Sequence, residues 1–94
     1  MIRVVAKIHI KPGSNEAVRK AAQEMIDKSR AEAGNGFYDL LQSTSDKNTM
    51  AFLEQWDSQS VLDEHMKTAH FKSGNEALAQ YLDGPMDIEI FTEN

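Results

Sequence analysis

Ile2, Val4, Ala6, Ile8 and Ile10 take every second position at the start of the chain, with Arg3, Lys7, His9 and Lys11 between them. Only an extended backbone puts alternate residues on one side, so this segment reads as a strand with one wholly apolar face and one mixed face. Such a strand needs a layer packed against its apolar side and partners along its edges. Pro12-Gly13 ends it, and Ser14 is placed to cap a helix beginning just after it.

The next segments supply that layer and those partners. Val18, Ala21, Ala22, Met25, Ile26 and Ala33 recur at helical spacing among charged residues, which predicts an amphipathic helix running to about Ala33, with Gly34 as its stop. Phe37 to Ser43 and Thr49 to Trp56 read as two strands joined by the polar hairpin segment Thr44–Asn48. Ser58 caps a second helix containing Val61, Leu62 and Met66, and Thr68 caps a third containing Phe71, Ala77, Leu78, Tyr81 and Leu82. Asp83-Gly84-Pro85 closes it, and Met86 to Thr92 alternates again as a fourth strand. The order β-α-β-β-α-β, with its second helical element broken in two, predicts an α+β, ferredoxin-like sandwich: helices on one face of an antiparallel sheet. Residues 1–94 form a single domain. The opposite sheet face, carrying Val5 and His9, would be solvated in a monomer. Pairing two such sheets would cover it, so a homodimer is expected.

Composition excludes several classes of partner. A formal charge of −5 with scattered lysines and arginines argues against nucleic acid, which requires a concentrated basic surface. The absence of cysteine removes disulfides, thiolate nucleophiles and zinc–thiolate or iron–sulfur sites. Charges interrupt the apolar residues of the N-terminus, so neither a signal peptide nor a membrane span is expected there, and a cytoplasmic protein is.

Chemistry is concentrated between Glu54 and Phe71, which holds the only tryptophan and two of the three histidines. His65 falls at helical spacing from Leu62 on the face that approaches the sheet. It is either a proton acceptor for a phenolic hydroxyl or a histidine held by a carboxylate or carbonyl. Glu54 shares strand parity with Met50, Phe52 and Trp56, so its carboxylate faces an apolar side and needs a partner, with His65 as one candidate. Trp56 is either a core anchor or a cavity wall; Tyr38 and Phe71 are read in the same two ways. His70, in the first turn of the third helix, either hydrogen-bonds a ligand or lies on the surface. A metal site is not expected, because His65 and His70 are five apart, off the i,i+4 spacing of a helical pair, and no third ligand is obvious.

The run Glu54-x-Trp56-x-Ser58-x-x-x-Leu62-x-x-His65-x-x-Thr68-x-His70-Phe71 resembles the signature of the antibiotic biosynthesis monooxygenase (ABM) superfamily. Gly34-Asn35-x-x-Tyr38-x-Leu40, Ala6 and Lys11-Pro12-Gly13 fit its other segments, so the resemblance covers nearly the whole chain. It implies a dimeric α+β barrel and a cofactor-independent monooxygenase that oxidises a small electron-rich aromatic, quinol- or anthrone-like, with O2. On that reading His65 is the catalytic base and Glu54 orients it, while Trp56, His70, Phe71 and Tyr38 bind the substrate. Ala6 and His65 stand where the haem-degrading branch has an asparagine and an aromatic residue, so that branch is not indicated. The Gly34–Gln42 segment also resembles members that isomerise a small hydroxyketone signal. That alternative stays open, as does a non-catalytic ligand-binding dimer. Two departures stand out. Ala69 replaces a common proline, and Gly74 replaces a bulky residue, which would widen one wall of the pocket.

Overall fold

A computed structural model describes residues 1–93 of the chain. It contains β1 (Ile2–His9), α1 (Asn15–Arg30), β2 (Asn35–Gln42), β3 (Thr49–Trp56), α2 (Gln59–Met66), α3 (Ala69–Ala79) and β4 (Asp87–Thr92). The strands form one four-stranded sheet in the order β2-β3-β1-β4, with every neighbouring pair antiparallel. This is the ferredoxin-like α+β arrangement.

Register carries the period-2 pattern across the whole sheet. Ala6 lies opposite Phe52 and Ile88, and Val4 opposite Glu54 and Ile90. Tyr38 flanks Glu54 from the other side. The even-numbered residues of β1 and β3 therefore share one face, and Val4, Ala6, Ile8, Met50, Phe52 and Trp56 are buried on it with Val18, Ala22 and Met25 of α1 and Leu78 of α3. Val5, Leu53 and Phe37 lie half-buried on the opposite face, while Leu41 and Phe91 remain exposed.

Element boundaries differ from the sequence expectation in informative ways. α1 stops at Arg30 rather than about Ala33. Gly34 is not the helix stop but the positive-φ residue (φ 88°) of the turn into β2. Its carbonyl accepts the Asp57 N–H at 2.9 Å, and a Cβ there would lie 2.8 Å from Val61 Cγ1. Ser14 occupies the N-cap position of α1 without capping by its side chain; its hydroxyl instead donates to the Lys11 carbonyl at 2.6 Å. Ser58 and Thr68 do cap α2 and α3, accepting from Val61 N–H and Phe71 N–H.

Gly74 corrects a second expectation. Its lack of a side chain does not widen the pocket, because Met25 of α1 fills the space: a Cβ on Gly74 would come within 2.5 Å of Met25 Sδ and 2.7 Å of Met25 Cβ. Gly74 therefore permits the close approach of α1 and α3. Gly74→Ala should force Met25 aside and destabilise the fold by about 1–3 kcal/mol, the usual cost of overpacking. Thermal melting checks this, with a lowered midpoint expected and an unchanged one counting against the tight contact.

Candidate active site

A cavity of about 70 Å³ lies between the helix-facing side of the sheet and the three helices. Tyr38, Phe52 and Glu54 line it from the sheet, His65 and Met66 from α2, and Phe71 from α3. Its walls are largely apolar, so the few polar groups among them set what it can do. Met66, Ile88 and Ile90 line it and are also exposed, which places its mouth between α2 and β4. Met66 of α2 is thus a rim residue of the cavity.

His65 is fixed from several directions. The ring is 1% exposed and lies against Trp56 with centroids 4.3 Å apart, while Phe71 meets it edge-on at 5.0 Å. The junction between α2 and α3 sets its position: Thr68 Oγ1 donates to the His65 carbonyl at 2.7 Å and accepts the Phe71 N–H at 3.2 Å. Burial pushes its pKa below the ordinary value, against the opposing pull of Glu32. The imidazole is therefore neutral at neutral pH, as a proton acceptor must be. Its Nδ1 lies 2.6 Å from Glu32 Oε2, whereas its Nε2 is buried without a hydrogen-bond partner among the described residues.

The partner of His65 is thus Glu32, not Glu54. Among the described residues Glu54 makes no hydrogen bond to His65; its Oε1 accepts the Trp56 indole N–H at 3.0 Å. The two side chains lie two residues apart on one face of β3, which brings the indole nitrogen onto the carboxyl and closes off the orienting role expected of Glu54. Burial raises the Glu54 pKa from 4.5 to about 7, the Trp56 hydrogen bond opposing and the Glu32 charge reinforcing the rise. Near neutrality Glu54 is therefore partly a neutral carboxylic acid, able to donate. Burial also raises the Tyr38 phenol, with Glu54 adding to it, so Tyr38 stays a neutral hydroxyl.

Of the four residues expected to bind substrate, Tyr38 and Phe71 line the cavity, whereas Trp56 and His70 do not. Trp56 is fully buried, backing His65 and satisfying Glu54. His70 Nε2 lies 3.0 Å from the same Glu32 Oε2 that meets His65. Glu32 escaped sequence reasoning because it sits in the turn after α1, outside any periodic pattern and 33 residues from His65. The ligating atoms of Glu32, His65 and His70 all fall within 4.8 Å of one another, a convergence that i,i+4 spacing does not anticipate because the histidines belong to different helices. These three residues are where a divalent cation could be held. As arranged, however, the 2.6 Å contact is a hydrogen bond, and a cation with ligands at about 2.0–2.2 Å would have to open it. The unpartnered His65 Nε2 also lacks the outer hydrogen bond that metal-bound imidazoles usually make.

Comparison with known proteins bears on this geometry. Residues 1–77 match the family model described as antibiotic biosynthesis monooxygenase (ABM). The chain is 35% identical over 88 residues to "Putative monooxygenase YcnE" of Bacillus subtilis (strain 168), a span covering 94% of this chain and 93% of that protein. Among solved structures it resembles a conserved protein from Methanosarcina mazei Go1 with a TM-score of 0.95, at 29% identity over 99% of this chain and 92% of that one. It resembles Rv0793 from Mycobacterium tuberculosis with a TM-score of 0.90, at 26% identity over 99% and 94% of the respective chains.

The raised Glu54 pKa makes stability depend on pH. The folded protein holds a proton on Glu54 up to about pH 7, whereas the unfolded chain loses it near 4.5. This contribution is complete below the unfolded value and is lost as pH rises through the folded one. Relative to Glu54→Gln, which keeps an acceptor for Trp56, the parent protein should lose stability between about pH 4.5 and 8, by on the order of 3 kcal/mol. Urea unfolding of both proteins across that range checks the sign; parallel curves would contradict it.

Proposed function

The chain belongs to the antibiotic biosynthesis monooxygenase family, and on that premise we propose that it oxidises a single-ring quinol with O2, using His65 as base and Glu54 as acid. The observation that carries this reading is the pairing of an unpartnered imidazole nitrogen with a partly protonated carboxyl in one apolar cavity. A quinol presents a hydroxyl to give up a proton and a second oxygen that can accept a hydrogen bond. Those are the complements of His65 Nε2 and protonated Glu54.

Cavity size favours one ring over several. An apolar cavity that takes up benzene has about 150 Å³, and the space here is about 70 Å³. A ring therefore extends into the mouth past Met66, and an anthrone would need far larger displacement. Phe71 and Tyr38 offer aromatic surface to the ring.

His65 Nε2 takes the hydroxyl proton, and Glu54 hydrogen-bonds the other oxygen. The phenolate passes an electron to O2, the radical pair joins at a ring carbon, and a C–O bond forms. The proton returned from His65 makes the adduct a hydroperoxide; breaking its O–O bond, as the ring carbon gives up its C–H proton and becomes a carbonyl, releases water. A quinol and O2 thus give a hydroxyquinone and water, and the substrate supplies all four electrons. Apolar walls favour this sequence by making the phenolate a stronger donor than it is in water.

The same acid–base pair could move a proton within a small hydroxyketone without oxygen, which is the second reading. Product formed under strict anaerobiosis would separate the two. We also propose that the chain pairs with a second copy through the sheet face carrying Val5, Phe37, Leu41, Leu53 and Phe91. That face has no helix over it, and burying it adds apolar area to a small core.

Oxygen uptake with simple quinols should fall at least 100-fold in His65→Ala, in line with loss of a general base. In the parent protein it should decline above about pH 7 as Glu54 ionises, and Glu54→Gln should remove that decline. Unchanged uptake in His65→Ala sinks the assignment. Sedimentation should give a dimer for the parent protein and a monomer for Leu53→Glu; a monomeric parent protein would remove the pairing.

A further inference from the structure

We propose that Glu32 is the positioning residue of His65, fixing the neutral imidazole's proton on Nδ1 so that the lone pair remains on Nε2, with His70 holding Glu32 in place for that task. This rests on His65 being the base of the proposed reaction.

A carboxylate can only accept hydrogen bonds, so the ring nitrogen that meets it must carry the proton. Glu32 Oε2 meets Nδ1 at 2.6 Å, within the short range of charge-assisted contacts. A neutral imidazole has one N–H, which leaves Nε2 as the basic nitrogen. Free imidazole side chains in water favour the opposite arrangement, with the proton on Nε2, so the surroundings must impose this one. Trp56 and Phe71 hold the ring plane but offer nothing that distinguishes its two nitrogens, and among the described residues Tyr38, with its ring 5.5 Å away, makes no hydrogen bond to either. Trp56 lies over one face and Phe71 against an edge, and the indole N–H is committed to Glu54. The choice of tautomer therefore falls to Glu32.

Glu32 is itself held. Its backbone N–H donates to the Ser29 carbonyl at 3.1 Å, and its carbonyl accepts from Asn35 at 3.2 Å. His70 Nε2 lies 3.0 Å from the same oxygen that meets His65. One oxygen thus faces two imidazoles, and each restrains the carboxylate for the other. When a substrate proton reaches Nε2, the imidazolium forms beside a fixed negative charge and needs no rearrangement to be stabilised.

Long-range proton–nitrogen NMR of protein labelled with 15N-histidine reads the tautomer directly. At neutral pH the His65 Nε2 signal should fall at the unprotonated-nitrogen position and Nδ1 at the protonated one. Glu32→Ala should shift both toward the averaged or reversed pattern, with the fold monitored by the remaining spectrum. Glu32→Gln keeps a carbonyl acceptor and should retain the tautomer while lowering kcat for a quinol at least tenfold with little change in KM. His70→Ala should broaden or partly average the His65 signals. A parent spectrum with the proton on Nε2 overturns the proposal, as does an unchanged His65 pattern in Glu32→Ala. If Glu32→Ala fails to fold, the parent spectrum and Glu32→Gln still decide the matter. The spectra need no substrate, so a Glu32-dependent tautomer in a protein that oxidises no quinol overturns the oxygenase reading and leaves the positioning intact.

Discussion

A carboxyl group on the buried side of β3 has to find a partner within the fold, and the arrangement of the site depends on how that is done. Glu54 receives the indole N–H of Trp56. That contact fixes the indole, the indole backs the imidazole of His65, and the imidazole meets Glu32 through its other side. Each buried polar group constrains the next, from the middle of the sheet to the turn after α1. A buried donor or acceptor left unmatched costs about 1–3 kcal/mol, so alternatives that break one link are disfavoured. His65 Nε2 is left out of this chain of contacts, buried with no hydrogen-bond partner among the described residues.

Burial acts on the two central groups in opposite senses. It raises Glu54 and lowers His65, in each case by disfavouring the charged form. A neutral acid and a neutral base can then coexist in the lining of one cavity near neutrality, where in water they would exchange a proton and become an ion pair. The apolar lining maintains this pairing. It is also the lining that the fold needs for its own core, so packing and chemistry draw on the same residues here.

The architecture was legible because it depends on periodicity. Alternation in β1 and β3 gave the buried face residue by residue, and the cap at Thr68 gave the break that brings His65 and His70 together. The site was less legible because its contacts join segments with no shared pattern. Glu54 was matched to His65 by strand parity, but parity places residues on a face and says nothing of which neighbour reaches a given atom; Trp56, two residues away, was nearer. Glu32 had no periodic mark at all. Gly74 misled for a related reason: a missing side chain reads as a hole until the residue opposite, Met25, is known to fill it.

Among the described residues β4 pairs with β1 alone, and all six of its residues are exposed. Its outer border therefore presents unpaired backbone donors and acceptors beside Ile88 and Ile90, a template onto which another extended chain could add. Asp87 and Glu89 alternate with those isoleucines along the strand, and the whole chain carries a formal charge of −5. Like charges brought together by strand addition repel, and acidic residues placed along an edge in this way oppose sheet extension between copies. That opposition is electrostatic, so it is screened as ionic strength rises.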